Sequence, residues 1–526
     1  MIETSMGFSC GFSAPHHSAA QAGQDILRDG GTAIEAMVSA AATIAVTYPH
    51  MNGLGGDGFW LIHRRDKPPV GIFAAGPSAA LASLAWYADR GVSLSTTGEI
   101  PPRGPLAALT VPGTVDGWAQ ALRLVERPRP LSQLLAPAIA HARDGIAVTA
   151  NQQRNTALKL EGIRSVAGFA QTYLQDGDVP QRASRFYQPA LADTLEQLAR
   201  HGLRSFYEGE IAARHAQFCA TEGSPLRQAD FTAYHAQQVT PLQLTTRHGT
   251  LFNMTPPTQG AVSLAILGIA DHHAPAPLDS PAFHHRLIEA VKQAILWRNS
   301  HLGDGTDTRA LLSPDTLARM AARIDPNRAA PWPHRPAEGD TIWMGAADRH
   351  GTVVSFIQST FWEYGSGLTC PDTGIAFQNR GAGFSLAAGP NQLAPRKRPF
   401  HTLNPALAQL KDGRVMAYGT MGGEGQPQTQ AQIFTRYVQC AQGLQRAITA
   451  PRWLLGRTWG DASTTLKYED RFDPALIDAL RGAGHICEAM GSFSDNAGHA
   501  GAVVSHANGL IEAAFDPRAD GAALVA

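Results

Sequence analysis

The stretch that most restricts what this chain can become runs from Gly339 to Gly367, GDTIWMGAADRHGTVVSFIQSTFWEYGSG. Just upstream, Pro326, Pro331, Pro333 and Pro336 fix φ and remove backbone donors, so the segment reads as an extended, helix-free, exposed connector. The pattern then changes at once. Thr341–Ala347 and Thr352–Gln358 are apolar, partly β-branched runs on either side of Asp348-Arg349-His350-Gly351, which supplies the polar and glycine positions of a hairpin turn. A β-hairpin beginning at Thr341 is expected. A threonine at the head of a strand, directly after such a connector, suits a hydroxyl nucleophile whose base is its own α-amine once the chain is cut there. An α-amine titrates near about 8, so much of it is neutral at pH 7 and can take the hydroxyl proton. The same placement allows self-cleavage: the Thr341 hydroxyl attacks the Asp340 carbonyl, the acyl group shifts from nitrogen to oxygen, and water frees the new amino terminus. A threonine that merely opens an ordinary hairpin is the competing reading.

Further motifs decide between the two. Thr341 is followed by Ser359, YGSG at 364–367, GIAFQNRGAGFS at 374–385, KRPFHTLNPA at 397–406 and MGGEGQPQ at 421–428. Before it stand YPHMNGLGGDGFWLI at 48–62, TVPGTVDGW at 110–118, APAIAHARDGIAV at 136–148 and PPTQGAVSL at 256–264. In this order, over nearly the whole chain, these stretches resemble the gamma-glutamyltranspeptidase family of N-terminal-nucleophile hydrolases. The resemblance implies an α+β fold, a four-layer αββα sandwich of two antiparallel sheets with helices outside. It also implies a proenzyme divided into a large subunit, 1–340, and a small one, 341–526, together forming one αββα unit. No metal and no organic cofactor is expected, because nucleophile, base and oxyanion hole are all polypeptide.

The expected catalytic residues are Thr341, Ser359 as a supporting hydroxyl where the family has a second threonine, and Gly422 with Gly423. Two glycines ahead of a helix start leave N–H groups bare, aided by the helix dipole, and so can build an oxyanion hole. A plain strand-to-helix turn is the alternative for the residues alone, and the family's corresponding glycine pair favours the hole.

The substrate pocket departs from the family. The arginine of an FRE-like segment is missing from Phe73-Ala74-Ala75-Gly76-Pro77, Phe361 replaces an Asn, and Gly383 replaces an Asp. Arg380 stands at the Gln or Glu position, and His401 and Thr402 replace two carboxylate-binding serines. The groups that would neutralise a substrate ammonium are gone and a guanidinium has arrived, which pairs with carboxylates. Phe361, Trp362 and Tyr364 add bulk. The expected substrate-binding residues are therefore Arg380, His401, Thr402, Phe361 and Tyr364, and the expected substrate is a small anionic amide, oxamate first, as in the oxamate amidohydrolase branch. A γ-glutamyl hydrolase or transferase, a cephalosporin-acylase-like amidase, and an inactive anion-binding relative are the alternatives.

The remaining features exclude other classes. A net charge of −1 gives no reason to expect nucleic acid or an anionic membrane. Five scattered cysteines without a CxxC pair suggest neither a disulfide framework nor a structural zinc site, and they read as small core residues. The amino terminus lacks a basic segment followed by an apolar run, and Ala33–Val46 is too short to span a bilayer, so a cytoplasmic protein is expected. The partners expected are the substrate and the two subunits of one precursor, with a dimer of heterodimers left open. Gly53–Gly58 matches GxGxxG, but a helix precedes it and FWLIH follows, the reverse of a dinucleotide site, so a tight glycine turn lining the cleft is expected instead. Gly7-Phe8-Ser9-Cys10-Gly11 has no strand long enough before it to be a nucleophile elbow. His272-His273 and His284-His285 show no carboxylate or cysteine at ligand spacing and read as ordinary histidines. Residues 101–330 read as alternating helical runs and breaks, mostly scaffold. Residues 17–30, 32–47 and 281–302 read as helices, and 405–419 as a hairpin around Asp412-Gly413.

Overall fold

The computed structural model describes residues 2–95, 98–332, 340–456 and 464–526, with only the backbone described at Asp340. Part of the expected connector, 333–339, lies outside the described residues.

Local signals act as the sequence suggests. The helix Ala33–Thr47 opens on a capping box: Thr32 Oγ1 accepts from Glu35 N–H at 3.3 Å, and Glu35 Oε2 accepts from Thr32 N–H at 2.7 Å. The helix Pro281–His301 starts at Ser280, whose hydroxyl accepts from Phe283 N–H at 3.2 Å. The expected nucleophile hairpin is present as Asp340–Ala347 paired antiparallel with Val353–Phe361.

Two seven-stranded sheets form the centre. One runs Ser5–Gly7, Ile511–Phe515, Ala500–Ser505, Val415–Thr420, Ala406–Leu410, Gly249–Asn253, Leu242–Thr246. The other runs Ala522–Val525, Gly11–Ala14, Asp340–Ala347, Val353–Phe361, Asp57–Arg64, Lys67–Ala74, Gln237–Val239. Strand alternation sorts the side chains into three cores. Ile342, Met344, Val354, Phe356, Trp60 and Ile62 face the helices His17–Arg28 and Ala33–Thr47. Met416, Tyr418 and Val504 face the helices Gly260–Asp271 and Pro281–His301. Phe59, Leu61, Trp343, Ile357, Leu407 and Val503 fill the space between the sheets. This is the four-layer αββα arrangement.

Trp343 ties the layers. Its Nε1–H donates to Ser355 Oγ at 2.9 Å, and its ring lies on glycines of the facing sheet: a Cβ at Gly419 would come within 2.2 Å of it and one at Gly501 within 2.5 Å. These two strand glycines are required by close approach of an indole.

The region read as helical scaffold also contributes Leu242–Thr246 and Gly249–Asn253, two strands at the edge of the first sheet. Within the 374–385 motif only Ile375–Ala376 forms a strand, because Gln378 and Asn379 turn into the site. Cys10, Cys219 and Cys370 are buried, but Cys440 and Cys487 are only half-buried. The reading of His284-His285 needs correction: Glu289 lies one helical turn beyond His285, and His485 joins them, their ligand atoms all within 4.8 Å. These groups are engaged with one another and with the start of the connector. His285 pairs with His485 at 2.8 Å and with the Asp325 carbonyl at 2.8 Å. Glu289 pairs with Lys292 at 2.7 Å and accepts from Ala330 N–H at 3.1 Å. Among the described residues no helix is long and apolar enough to cross a membrane.

Candidate active site

The alternation that builds the inter-sheet core also builds the site. Phe59 and Leu61, Trp343, and Val353 and Ile357 point between the sheets. Two residues further along each strand, on the same faces, stand Asp57, Thr341 and Ser359. Register places Ser359 directly opposite Asp57, and Asp340 opposite Phe361 with a bulge between Asp340 and Ile342. Asp57, Thr341 and Ser359 are fully buried.

The Thr341 hydroxyl accepts from the Gln426 amide at 3.4 Å, and Gln426 Oε1 accepts from Asn404 N–H at 3.2 Å. Gln426 begins the helix Gln426–Phe434, at the mouth of which Gly422 and Gly423 adopt φ of 113° and 52°. Successive positive φ values suit glycine alone. Gly425 N–H returns to the Gly422 carbonyl at 2.8 Å, and neither glycine's own N–H is taken up by a backbone carbonyl outside this turn among the described residues. The turn is anchored by Gln259, whose amide donates to the Gly423 carbonyl at 2.9 Å and to the Thr402 carbonyl at 2.7 Å. Arg298 in turn holds Gln259 at 3.2 Å and Glu424 at 2.5 Å.

The other wall is built around Arg380. It follows Gln378 and Asn379, which are fixed by Gln378 N–H to the Gly55 carbonyl at 3.0 Å and by Asn379 Oδ1 accepting from Trp362 N–H at 3.0 Å. The side chain is buried, with Nη1 donating to Thr402 Oγ1 at 3.1 Å and the guanidinium 4.0 Å from the Phe361 ring centre. Phe361 has φ of 83°, a region bulky side chains rarely enter, and its N–H donates to Ser359 Oγ at 2.7 Å. Among the described residues Nε and Nη2 of Arg380 have no hydrogen-bond partner. Burial lowers the Arg380 pKa to about 9, with Asp57 opposing, which leaves it a cation at neutral pH.

Arg380, Thr402, Phe361, Ser359, Thr341 and the glycine turn therefore form one connected set. His401 belongs to it through its neighbours, but its ring turns to Asp57, Nε2 lying 3.1 Å from Oδ2. Burial and then Arg380 hold its pKa well below the usual range, so the ring is neutral. Tyr364 stands apart: its hydroxyl pairs with Thr156 Oγ1 at 2.6 Å and its ring packs on Phe169 and Tyr173. Four residues of the network were not singled out from sequence: Asp57, Gln259, Gln378 and Gln426. Asp57 alone had a local signal, the start of an alternating strand whose odd positions face inward.

The sequence profile of the gamma-glutamyltranspeptidase family matches residues 19–526. The oxamate amidohydrolase proenzyme of Klebsiella pneumoniae subsp. pneumoniae is 53% identical over 521 residues, 97% of each chain. The glutathione hydrolase-like YwrD proenzyme of Bacillus subtilis is 37% identical over 519 residues, again 97% of each. Among solved structures, the cephalosporin acylase from Bacillus halodurans superposes with a TM-score of 0.91 at 28% identity, covering 100% of this chain and 97% of that one.

Proposed function

This chain belongs to the gamma-glutamyltranspeptidase family and is an amidohydrolase acting on a linear amide, and from that premise we propose that its substrate is a small anionic amide, oxamate first. The precursor cuts itself between Asp340 and Thr341, giving subunits 1–340 and 341–526. The freed α-amine then takes the Thr341 hydroxyl proton as Oγ attacks the amide carbonyl. The oxyanion is received by the N–H groups of Gly422 and Gly423. Ammonia leaves, and water hydrolyses the acyl-enzyme to release oxalate.

The observation that carries the substrate class is the Arg380 fork: a buried guanidinium with Nε and Nη2 unpartnered among the described residues, backed by Phe361 and Thr402. Buried donors are seldom left without acceptors, and a planar fork matches a carboxylate. A γ-glutamyl ammonium would meet that positive charge unfavourably. The curated relative named for oxamate hydrolysis, matched end to end, supports the same choice.

The test is denaturing electrophoresis together with ammonia release from oxamate, glutathione and glutaryl-cephalosporin. The wild type should run as two unequal bands and turn over oxamate best, Thr341→Ala should remain one band without turnover, and Thr341→Ser should keep some of each. Cleavage of the alanine variant at 340/341 would remove Thr341 from the processing reaction, and a preference for glutathione would remove the anionic-amide reading.

A further inference from the structure

Asp57 has no part in the chemistry above, yet it is fully buried beside the anchor. Its Oδ1 accepts from Gly113 N–H at 3.2 Å and from the Gln378 amide at 3.0 Å. Its Oδ2 faces His401 Nε2 at 3.1 Å, and His401 Nδ1 accepts from Leu403 N–H at 3.3 Å, which leaves Nε2 as the protonated nitrogen. Among the described residues its partners are all donors, the Gly76 N–H included, which suits an ionised carboxylate. Its charge acts on Arg380, but among the described residues the guanidinium forms no ion pair and keeps two nitrogens unbonded. A carboxylate close enough to compensate a buried cation, yet not seated on it, is an unusual solution: contact would close the fork to any ligand.

We propose, resting on the anchor reading, that Asp57 is a positioning residue for turnover: a counter-ion held out of contact, which keeps Arg380 charged with its fork open and limits how tightly the site grips an anion. The limit matters because hydrolysis raises the charge of the ligand. The substrate brings one carboxylate and the product carries two, so a guanidinium without a counter-charge would bind the product better than the substrate and slow its release. The Asp57 field opposes the second negative charge. The carboxylate also sets the anchor's orientation, through His401 to the adjoining Thr402, which holds Arg380 Nη1.

The substitution Asp57→Asn removes the charge and keeps the shape. The new amide oxygen can still accept from His401, and Gln378 can turn its Oε1, which has no partner among the described residues, toward the new NH2. The Gly113 N–H then loses one of its two acceptors and keeps the Gly56 carbonyl at 2.8 Å. The titratable groups around Asp57 are Arg380, His401, Tyr207 and Tyr234. Burial holds both tyrosines above their ordinary range and His401 below its own, whereas it pushes the Asp57 carboxyl up to about 7. Of these, Asp57 changes charge between pH 6 and 8. The freed Thr341 α-amine, which titrates near about 8, does so too but is common to wild type and variant, so the gap between the two reports Asp57 alone.

The experiment is oxalate binding to the matured enzyme by calorimetry, with inhibition of oxamate hydrolysis as a second readout. At pH 8 the Asn variant should bind oxalate about tenfold more tightly than wild type, the size expected for losing one nearby like charge in a partly screened interior. Wild-type affinity should tighten as the pH falls to 6, and the gap between the two should close. A structural lesion would weaken binding, so equal or weaker oxalate affinity in a matured Asn variant contradicts the inference. Should that variant fail to mature, the wild type still decides: affinity that does not tighten from pH 8 to 6 contradicts the inference. Absence of any oxalate binding by wild type would overturn the anchor itself, and this inference with it.

Discussion

The molecule buries several arginines, Arg380, Arg436, Arg452 and Arg518 among them, and two of the places that do so treat them in opposite ways. Near the carboxyl terminus, Arg518 donates Nε to Glu469 Oε1 at 2.7 Å and Nη1 to Asp516 Oδ1 at 2.9 Å. Beside it, Arg452 donates to Asp516 Oδ2 at 2.6 Å, to the Gly498 carbonyl at 2.8 Å and to the Ile448 carbonyl at 2.7 Å. Burial alone would raise the Asp516 carboxyl, but the two guanidiniums outweigh it and bring its pKa to about 2. Arg380 is as deeply buried and, among the described residues, has a single hydrogen bond, an aromatic ring beneath it, and an Asp57 with which it forms no ion pair. The charges buried near the carboxyl terminus are held by carboxylates and carbonyls, with only Arg452 Nε of the two guanidiniums left over among the described residues. A charge buried to hold a ligand must be stabilised by neighbours that leave its donors available, and the Arg380 wall meets that condition while the Arg518 cluster does not.

Substitution at the two sites separates the roles. Arg518→Met should lose about 3–5 kcal/mol of stability, because Glu469 and Asp516 would be left in the interior without their main counter-charge, and chemical denaturation of the matured enzyme measures it. A loss below about 1 kcal/mol would show that burial and saturation do not mark a structural arginine here. Arg380→Gln should change stability by no more than about 1 kcal/mol, since only one hydrogen bond is lost and Asp57, with a carboxyl already raised to about 7, can take a proton once the cation is gone. A stability loss comparable to that of Arg518→Met would make Arg380 a structural residue and erase the contrast.

Much of this was legible in the sequence because it is local. The hairpin at Thr341 follows from two apolar runs around a polar turn, the start of Ala33–Thr47 from Thr32 and Glu35, and the glycine turn at 422–423 from two adjacent glycines before Gln426-Pro427-Gln428. The sandwich came from resemblance, not from periodicity. What escaped depends on long-range register. Nothing local says that Asp57 will lie opposite Ser359, which is set by a strand pairing across some three hundred residues of chain. His285 and Glu289 are visible as a helical pair only when read at a spacing of four, and His485 arrives from a distant loop. The edge strands at 242–253 were hidden because edge positions tolerate polar residues such as Gln243, Thr245 and Thr246, which blur the alternation.

The most direct test of the account is the ratio of kcat/KM on oxamate to that on a neutral amide of similar size, for wild type, Arg380→Gln and Arg380→Lys. If Arg380 anchors the carboxylate, the glutamine variant should mature normally and lose about 2–5 kcal/mol of transition-state binding on oxamate, with little loss on the neutral amide. Lysine should restore only part of it, because a point charge cannot reproduce the fork. Equal losses on both substrates would contradict the account and leave Arg380 as a support for the fold or the nucleophile.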